Sequence, residues 1–314
     1  MGGRMANSRH IPVMLTEVIA SLAPQHDRVY IDATFGAGGY STAILSAANC
    51  KLHAFDRDEN VIPIAEKLKN KFANSFEFHH QAFAEMEVTL ADEKDKIDGI
   101  VFDIGVSSMQ IDSPERGFSF QEDGILDMRM DSSQKLTATY IVNHYNQQEL
   151  ADIFYNYGGE KRSRAIAKAI VLARQVMPIE RTKQLANIIQ QAVPNYNDSI
   201  NPATRSFQAL RIVVNDELGQ LQKGLLAASK LIAVQGKIVV VTFHSLEDRI
   251  VKNTFKELTG KKVAVNKYLP SANNASGNPQ FITEHKGVLT PSSQEIAANP
   301  RARSAKLRVL RRVG

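Results

Sequence analysis

The first third of the chain alternates short β-prone apolar runs with amphipathic stretches. The apolar runs predict strands at 29–32, 51–55, 76–79 and 100–104, and the stretches between them predict helices at 41–47 and 61–72. Strands that alternate with helices in this way are typical of a parallel α/β sheet. The ligand site of such a sheet is expected at the carboxyl ends of its strands.

This alternation stops after residue 108. From 109 to about 201 the apolar positions have helical spacing, at 149–157, 163–177 and 182–192, and prolines at 178, 194 and 202 interrupt this region. Helical spacing continues over 203–231, and Gly236 is expected to end that helical region. The parallel sheet is then expected to resume, with strands predicted at 237–243 and 306–313 and a helix at 246–258, while 269–277 is predicted to be a loop.

We therefore expect an α/β protein with a helical insertion. The predicted boundaries give a first part of the sheet domain at 1–108, an inserted helical domain at 109–203 and a second part of the sheet domain at 204–314.

Composition restricts the class of protein. A chain of 314 residues with 43% hydrophobic and 23% charged residues is typical of a globular protein. No apolar stretch approaches the ~20 residues that span a bilayer, and residues 1–10 are polar, so we expect a cytoplasmic protein without a membrane partner. Cys50 stands alone, and no Cys/His cluster in the sequence indicates zinc, so no metal is expected.

Basic residues are concentrated in two segments. The formal net charge is +5, and seven basic residues lie in 161–183. Six basic and no acidic residues lie in 301–312. Solvated helix and strand faces are the ordinary explanation of such runs, but two of them in a basic chain favour a nucleic-acid partner.

A glycine-rich turn follows the first predicted strand, in the sequence Asp32-Ala-Thr-Phe-Gly36-Ala-Gly-Gly-Tyr-Ser41. Such a turn before a helix can hold a nucleotide-like cofactor, although an ordinary tight turn has the same appearance. Asp56 ends the second strand twenty residues after Gly36, where an acid can accept hydrogen bonds from ribose hydroxyls.

The details of this turn separate two cofactors. A dinucleotide fingerprint requires Gly or Ala where Ser41 stands. Asp32, four residues before Gly36, suits a methyltransferase better because it could orient the amino-acid end of S-adenosylmethionine. The pattern favours S-adenosylmethionine and leaves NAD as the alternative.

Two candidate catalytic residues stand at the ends of later strands. Asp103 ends the run 100–104, where it is either a polar end of a strand or a catalytic acid. A carboxylate there could hold the N–H groups of an exocyclic base amine and direct its lone pair at a methyl group. His244 follows the run 237–243 and could contact substrate or accept a proton, or be structural. Ser245 and Asp248 resemble a helix-capping pair.

Two aromatic residues follow Asp103 in the sequence Gly117-Phe118-Ser119-Phe120. Phe118 and Phe120 could stack on an extruded base. Packing of the insertion against the sheet is the alternative role.

An ordered set of motifs extends nearly from end to end of the chain. These motifs are His10–Met14, Asp32–Gly39, Phe55–Asp58, Asp103–Ser108, Arg116–Phe120, Leu126–Met130, Tyr157–Glu160, Pro202–Arg205, Phe243–Arg249 and Asn299–Arg303. Together they resemble the MraW family of bacterial 16S rRNA cytosine-N4 methyltransferases. The resemblance implies a Rossmann-like S-adenosylmethionine-dependent methyltransferase sheet with an inserted helical substrate-recognition domain. It also implies S-adenosyl-L-methionine as cofactor and, as substrate, one decoding-centre cytidine of 16S rRNA in the 30S subunit.

The resemblance also implies roles for particular residues. The cofactor contacts would be Gly38, Gly39, Tyr40, Asp56, Phe83, Asp103 and Gln110. Apart from the resemblance, Asp103 and His244 are the predicted catalytic residues, and the predicted substrate contacts are Phe118, Phe120, Arg301 and Arg303. Many members have His where Tyr40 stands and Pro where Met109 stands. A backbone contact at position 40 tolerates the first change, whereas an imidazole contact does not.

Three other functions remain open from the sequence. The chain could methylate another RNA or DNA amine, it could be an NAD-dependent dehydrogenase, or it could be a noncatalytic RNA-binding protein that keeps a cofactor fold. A homodimer is also left open.

Overall fold

The structure is a computed structural model that describes residues 12–194, 201–261 and 280–314. The chain divides into two compact units. Residues 1–105 and 219–314 form one, here called the sheet unit, and residues 106–218 form the other, the helical unit. The predicted boundary at 203/204 lies inside the helical unit, near the start of the helix Pro202–Val214.

The strands all belong to the sheet unit. They are β1 (Val29–Asp32), β2 (Lys51–Asp56), β3 (Phe76–His80), β4 (Ile97–Asp103), β5 (Ile232–Thr242), β6 (Phe281–Thr283) and β7 (Lys306–Arg312). The described α-helices are α1 (Leu15–Leu22), α2 (Gly39–Ala47), α3 (Ile62–Phe72), α4 (Met86–Thr89), α5 (Ser108–Ile111), α6 (Ala138–His144), α7 (Gln147–Gly158), α8 (Ser163–Val176), α9 (Thr182–Ala192), α10 (Pro202–Val214), α11 (Glu217–Leu231), α12 (Ser245–Leu258) and α13 (Ser293–Ala298).

The seven strands form one sheet in the order β3-β2-β1-β4-β5-β7-β6. Strands β1 to β5 pair in parallel, as predicted, whereas β7 pairs antiparallel with both β5 and β6. The central strand β4 is fully buried over Ile100, Val101 and Phe102, which explains its continuous apolar run. The carboxyl ends of β1, β2, β4 and β5 therefore lie along one edge of the sheet.

The structure corrects two predictions about elements. The helical spacing over 203–231 belongs to two helices, α10 and α11, because Asp216 adopts a positive φ of 46° between them. Gly236 does not end the helical region but lies inside β5, which begins at Ile232. The backbone there is irregular: Gln235 has a φ of 70°, and the pairing of β5 with β4 shifts between Ile97 and Gly99.

The helical unit has its own apolar core. Helices α7 to α10 contribute buried residues such as Phe154, Ile170, Ile189 and Leu210. Helix α7 begins with a capping box in which Asn146 and Glu149 satisfy each other's backbone N–H groups. In its described part this unit contains no strand, as predicted, and only an isolated bridge between Ile125 and Arg181.

None of the described helices is long and apolar enough to cross a membrane. The predicted loop at 269–277 and the start of the first motif, His10, lie outside the described residues.

Candidate active site

The glycine turn connects β1 to α2 at the carboxyl edge of the sheet. Gly38 is the N-cap of α2 with a φ of 73°, a conformation that favours glycine, and a Cβ there would lie in tight contact with the Phe35 ring, at 3.0 Å. No side chain caps the first turn of α2. Its backbone N–H groups are therefore suited to a ligand rather than to a cap.

Asp32 lies beneath this turn and is completely buried. Its carboxylate accepts hydrogen bonds from the Ser41 hydroxyl at 2.7 Å and the Thr34 N–H at 3.2 Å. Burial raises the pKa of Asp32 to about 6. The expectation that Asp32 orients the cofactor directly does not match this position. Asp32 instead holds the turn in shape through Ser41 and Thr34.

Asp56 ties the turn to the end of β2. Its Oδ2 accepts from the Gly36 N–H at 2.8 Å and its Oδ1 from the Asp58 N–H at 2.9 Å. Burial raises the pKa of Asp56, while these two N–H groups oppose the shift. Each carboxylate oxygen has a second lone pair, so Asp56 can still accept hydrogen bonds from a pair of hydroxyls.

Asp103 ends β4 at the same edge. Its backbone N–H donates to the Thr34 hydroxyl at 2.7 Å, which connects it to the segment after β1. Its Oδ1 is buried and has no hydrogen-bond partner among the described residues. Burial, followed by the charges of Asp32 and Glu247, raises the pKa of Asp103 to about 8. A buried carboxyl with an unsatisfied oxygen and a raised pKa is suited to bind a hydrogen-bond donor or a cation on a ligand.

His244 is the N-cap of α12, directly after β5. Glu247 completes a capping box: its buried Oε2 accepts from the N–H groups of Phe243 at 2.8 Å and His244 at 3.2 Å. The Nε2 of His244 lies 2.8 Å from Oε1 of Glu247. Glu247 therefore fixes where the imidazole stands.

The predicted capping pair of Ser245 and Asp248 is wrong by one residue. Asp248 binds Arg308 at 2.7 Å and Lys306 at 3.3 Å on β7 instead. These two cations lower the pKa of Asp248 although burial opposes the shift. An acid follows three residues after both His244 and Ser245, and only the structure distinguishes the two caps.

A cavity of about 400 Å³ opens beside His244. Its lining includes Ser245, Arg303 and Lys306, so the structure brings together two of the predicted site residues, His244 and Arg303. Arg301 lies exposed on the same short 3-10 helix as Arg303, Pro300–Ser304.

Tyr40 and Phe83 differ in what they can offer to a cofactor. Tyr40 is buried, and its hydroxyl donates to the Val13 carbonyl, so only its backbone remains for a ligand. Phe83 is partly exposed and packs edge to face on Phe102, with ring centroids 5.5 Å apart. A Cβ on Gly224 of α11 would lie 2.4 Å from the Phe83 ring, so this glycine makes room for it.

Three predicted site residues lie in the helical unit. The Gln110 side chain accepts from the Ser107 N–H at 3.0 Å and forms a capping box at the start of α5. Phe118 is only 9% exposed and belongs to the core of the unit. Phe120 is partly buried and lies edge to face against Phe207, with centroids 5.0 Å apart. Phe118 therefore has a packing role, as one of the two alternatives expected. It packs in the core of the helical unit.

The sequence analysis did not single out Thr34 or Glu247 as parts of this site. Thr34 links the segments after β1 and β4, and Glu247 orients His244. The three-residue spacing from His244 to Glu247 was the available signal, because it is the spacing of a capping box.

The residues at this edge fit S-adenosylmethionine. Bare backbone at the Gly38 turn, a carboxylate with spare lone pairs at Asp56 and a buried, unsatisfied carboxyl oxygen at Asp103 suit a ligand with ribose hydroxyls and positive charge. None of the charged groups that shift the pKa of Asp103 is a cation. The strand order, with its antiparallel β7, and this acidic edge define a Rossmann-like S-adenosylmethionine-dependent methyltransferase.

Comparison with known proteins specifies the family. The model of the MraW methylase family matches residues 7–313, and the chain belongs to that family. It is similar to "Ribosomal RNA small subunit methyltransferase H" of Paramagnetospirillum magneticum, with 49% identity over 309 residues that cover 98% of this chain and 97% of the relative. The protein of the same name from Wolbachia sp. subsp. Drosophila simulans is 48% identical over 305 residues, which cover 97% and 99%.

Among solved structures, a putative rRNA methylase from Clostridium thermocellum aligns with 97% of this chain and 99% of its own. The TM-score is 0.45 and the identity is 10%. This is a distant match, and the fold assignment stands on the strand order of the sheet itself.

Proposed function

We propose that this protein transfers a methyl group from S-adenosyl-L-methionine to N4 of one cytidine in the decoding centre of 16S rRNA. Membership of the MraW methylase family and relatives named for the small-subunit rRNA support a ribosomal RNA substrate. The observation that carries the chemistry is Asp103, whose buried Oδ1 lacks a partner in the described chain at the edge where β1, β2 and β4 end.

Asp103 acts on the substrate amine as a hydrogen-bond acceptor. The lone pair of an exocyclic base amine is delocalised into the ring, so the amine is a weak nucleophile. A carboxylate that accepts its N–H groups turns the lone pair towards the methyl donor, and alignment supplies much of the rate. S-adenosylmethionine, when bound, supplies a methyl group that its sulfonium has already activated.

The electrostatics of the site prepare Asp103 for this task. The nearby charges of Asp32 and Glu247 raise its pKa after burial has done so, and positive charge brought by a ligand lowers it again. The carboxyl therefore becomes an acceptor when the site fills. We assign His244 as a substrate contact at this edge, because its Nδ1 already accepts from the Glu247 N–H and its Nε2 faces the Glu247 carboxylate.

The cofactor contacts follow from the same edge of the sheet. We assign backbone contacts to Gly38, Gly39 and Tyr40, ribose contacts to Asp56 and an adenine contact to Phe83. Gln110 is also assigned as a cofactor contact, because the family motif includes it. Its side-chain oxygen already accepts a hydrogen bond from the Ser107 N–H.

The RNA contacts are assigned to the cavity beside His244. Arg303 lines this cavity and supplies positive charge for phosphate groups, and Arg301, exposed on the same 3-10 helix, is assigned to the same role. The helical unit, residues 106–218, is the candidate recognition domain. Phe120 remains a candidate for base stacking, whereas Phe118 is assigned to the core. A ribosomal RNA substrate supports a cytoplasmic location for the enzyme.

The test is methyl transfer to 30S subunits that lack the modification. The subunits are incubated with S-adenosylmethionine that carries a radiolabelled methyl group, and the RNA is then digested to nucleosides. The proposal expects label in N4-methylcytidine from one position of 16S rRNA. Label in another nucleoside, or in DNA only, would refute the proposed product.

Two controls separate the alternative functions. Asp103→Ala is expected to bind RNA but transfer no methyl group, and unchanged transfer would remove Asp103 from the reaction. Isothermal titration with S-adenosylmethionine and NAD distinguishes a methyltransferase from a dehydrogenase, because the proposal requires binding of S-adenosylmethionine. A protein that binds RNA but neither cofactor would be a noncatalytic binder.

A further inference from the structure

Two histidines and a glutamate meet on one face of the sheet, on the neighbouring strands β2 and β3. His53 lies on β2, and Glu77 and His79 lie on β3. The parallel register pairs His53 with Glu77 and Phe55 with His79, which places all these side chains on the same face. The sequence analysis predicted no metal site, because these residues become neighbours only through strand pairing.

The potential ligand atoms are close to one another. The Nδ1 of His53 lies 3.1 Å from Nε2 of His79. The Glu77 carboxylate lies 3.5 Å from the first nitrogen and 4.0 Å from the second. Zn²⁺ binds imidazole nitrogen and carboxylate oxygen at about 2.0–2.2 Å, so two ligands of one tetrahedral ion stand roughly 3.3 Å apart. These separations are close to that value.

The surroundings fix the two imidazoles. His53 is 2% exposed, and its Nε2 has no hydrogen-bond partner in the part of the chain that the structure describes. The ring of His79 stacks on Phe55 with centroids 4.6 Å apart. The Nδ1 of His53 is aimed at His79 and Glu77, and this geometry supports a ligand role for that nitrogen.

Charge and access also suit a cation. A metal ion binds the neutral imidazole and the carboxylate, and the two rings and Glu77 present one nitrogen or oxygen each to the same point. Glu77 is exposed and provides a negative charge at the mouth of the cluster. The neighbouring cation, Lys51, is engaged by Glu93 at 3.2 Å.

We propose that His53, Glu77 and His79 form a binding site for one divalent transition-metal ion of the Zn²⁺ type, which joins the edge strand β3 to β2. Two imidazole nitrogens and one carboxylate are a ligand set that Zn²⁺ favours, and a fourth position stays open to water. The ion binds the folded chain and therefore stabilises it. The site is separate from the residues assigned to methyl transfer.

The test measures metal binding by the full-length, untagged protein after treatment with chelator. Zn²⁺ is titrated by calorimetry, Co²⁺ is followed by its visible absorption, and Tm is recorded with and without Zn²⁺. We expect one ion per chain and a rise in Tm of a few degrees. Glu77→Gln and His79→Ala should each bind Zn²⁺ at least tenfold more weakly and lose the rise in Tm.

His80→Ala is the matched control, because His80 lies on the same strand, next to His79, but points to the opposite face. It should bind Zn²⁺ as the unmodified protein does. Glu77→Gln changes an exposed side chain, so it remains informative if His79→Ala does not fold. The proposal is overturned if the unmodified protein binds no ion stoichiometrically, or if both variants keep full affinity. His53 and His79 would then form only a hydrogen bond with each other.

Discussion

The hydroxyl of Ser41, in the first turn of α2, donates a hydrogen bond of 2.7 Å to the buried carboxylate of Asp32 at the end of β1. Both residues are completely buried. This bond joins the two ends of the glycine turn. The hydroxyl that donates this bond also explains why serine occupies the position at which a dinucleotide fingerprint has glycine or alanine.

Ser41→Ala should destabilise the protein by about 1.5–3 kcal/mol, the range for a hydrogen bond to a charged group. The pKa of Asp32 is about 6, so the loss should be larger at pH 8, where Asp32 is ionised, than at pH 5. Urea unfolding at the two pH values measures it. Ser46→Ala, at an exposed position of α2, is the control and should change little. Equal losses at both pH values would contradict an ionised Asp32.

Asp103→Asn should stabilise the protein while it abolishes methyl transfer. The folded-state pKa of Asp103, about 8, lies above its ordinary value near 3.8, so its favourable contribution to folding is complete below pH 3.8 and is lost as the pH rises to 8. The variant should therefore gain stability relative to the unmodified protein between pH 5 and pH 8. We expect more than ~1 kcal/mol at pH 8, or about 2 °C in Tm.

Calorimetric Tm values across this pH range check the expectation. Asp92→Asn, at an exposed position, should follow the unmodified protein at every pH. A Tm difference for Asp103→Asn that stays constant with pH would mean that Asp103 is already ionised in the folded protein.

Glu247→Gln should shift the pH profile of kcat/KM to lower pH. The amide oxygen can still accept from the N–H groups of Phe243 and His244, but one of the charges that raise the pKa of Asp103 is removed. Asp103 then ionises at lower pH, and the rising limb of the profile moves with it. Glu257→Gln, an exposed position of the same helix, should leave the profile in place. A loss of rate without a shift would limit Glu247 to holding the helix.

Arg303→Gln should weaken RNA binding mainly at low salt. If Arg303 contacts one phosphate, the slope of log K against log salt concentration should fall by about 0.7–0.9. Filter binding to 16S rRNA at several salt concentrations measures this slope. Lys252→Gln removes an exposed charge from α12, outside the cavity lining, and should not change it. An unchanged slope for Arg303→Gln would remove Arg303 from the RNA surface.

The elements that the sequence predicted correctly are those with long, regular patterns. The glycine turn, the buried strand before Asp103 and the helices of the insertion each repeat one period over enough residues to identify it. Strand β6 has only three residues and shows no period. The break between α10 and α11 depends on a positive φ at Asp216, and the backbone irregularity near the start of β5 on a positive φ at Gln235. The spacing of apolar residues does not indicate either conformation.

The candidate site was predicted unevenly for a similar reason. Asp56 and Asp103 follow apolar runs, so their positions at strand ends could be predicted. The burial of Phe118 and the hydroxyl bond of Tyr40 depend on partners distant in the sequence, such as Val13. The meeting of His53 with His79 depends on strand register, which no local pattern contains.

The pairing of β4 with β5 has a consequence for synthesis. About 130 residues separate Asp103 from Ile232, so β4 leaves the ribosome long before its neighbour is made. At roughly 5–20 residues per second, this apolar strand stays an unpaired edge for on the order of 10 s. An edge of this kind pairs readily with other chains. The nascent protein therefore passes through an interval in which it is open to aggregation and to chaperones, and the helical unit is synthesised within that interval.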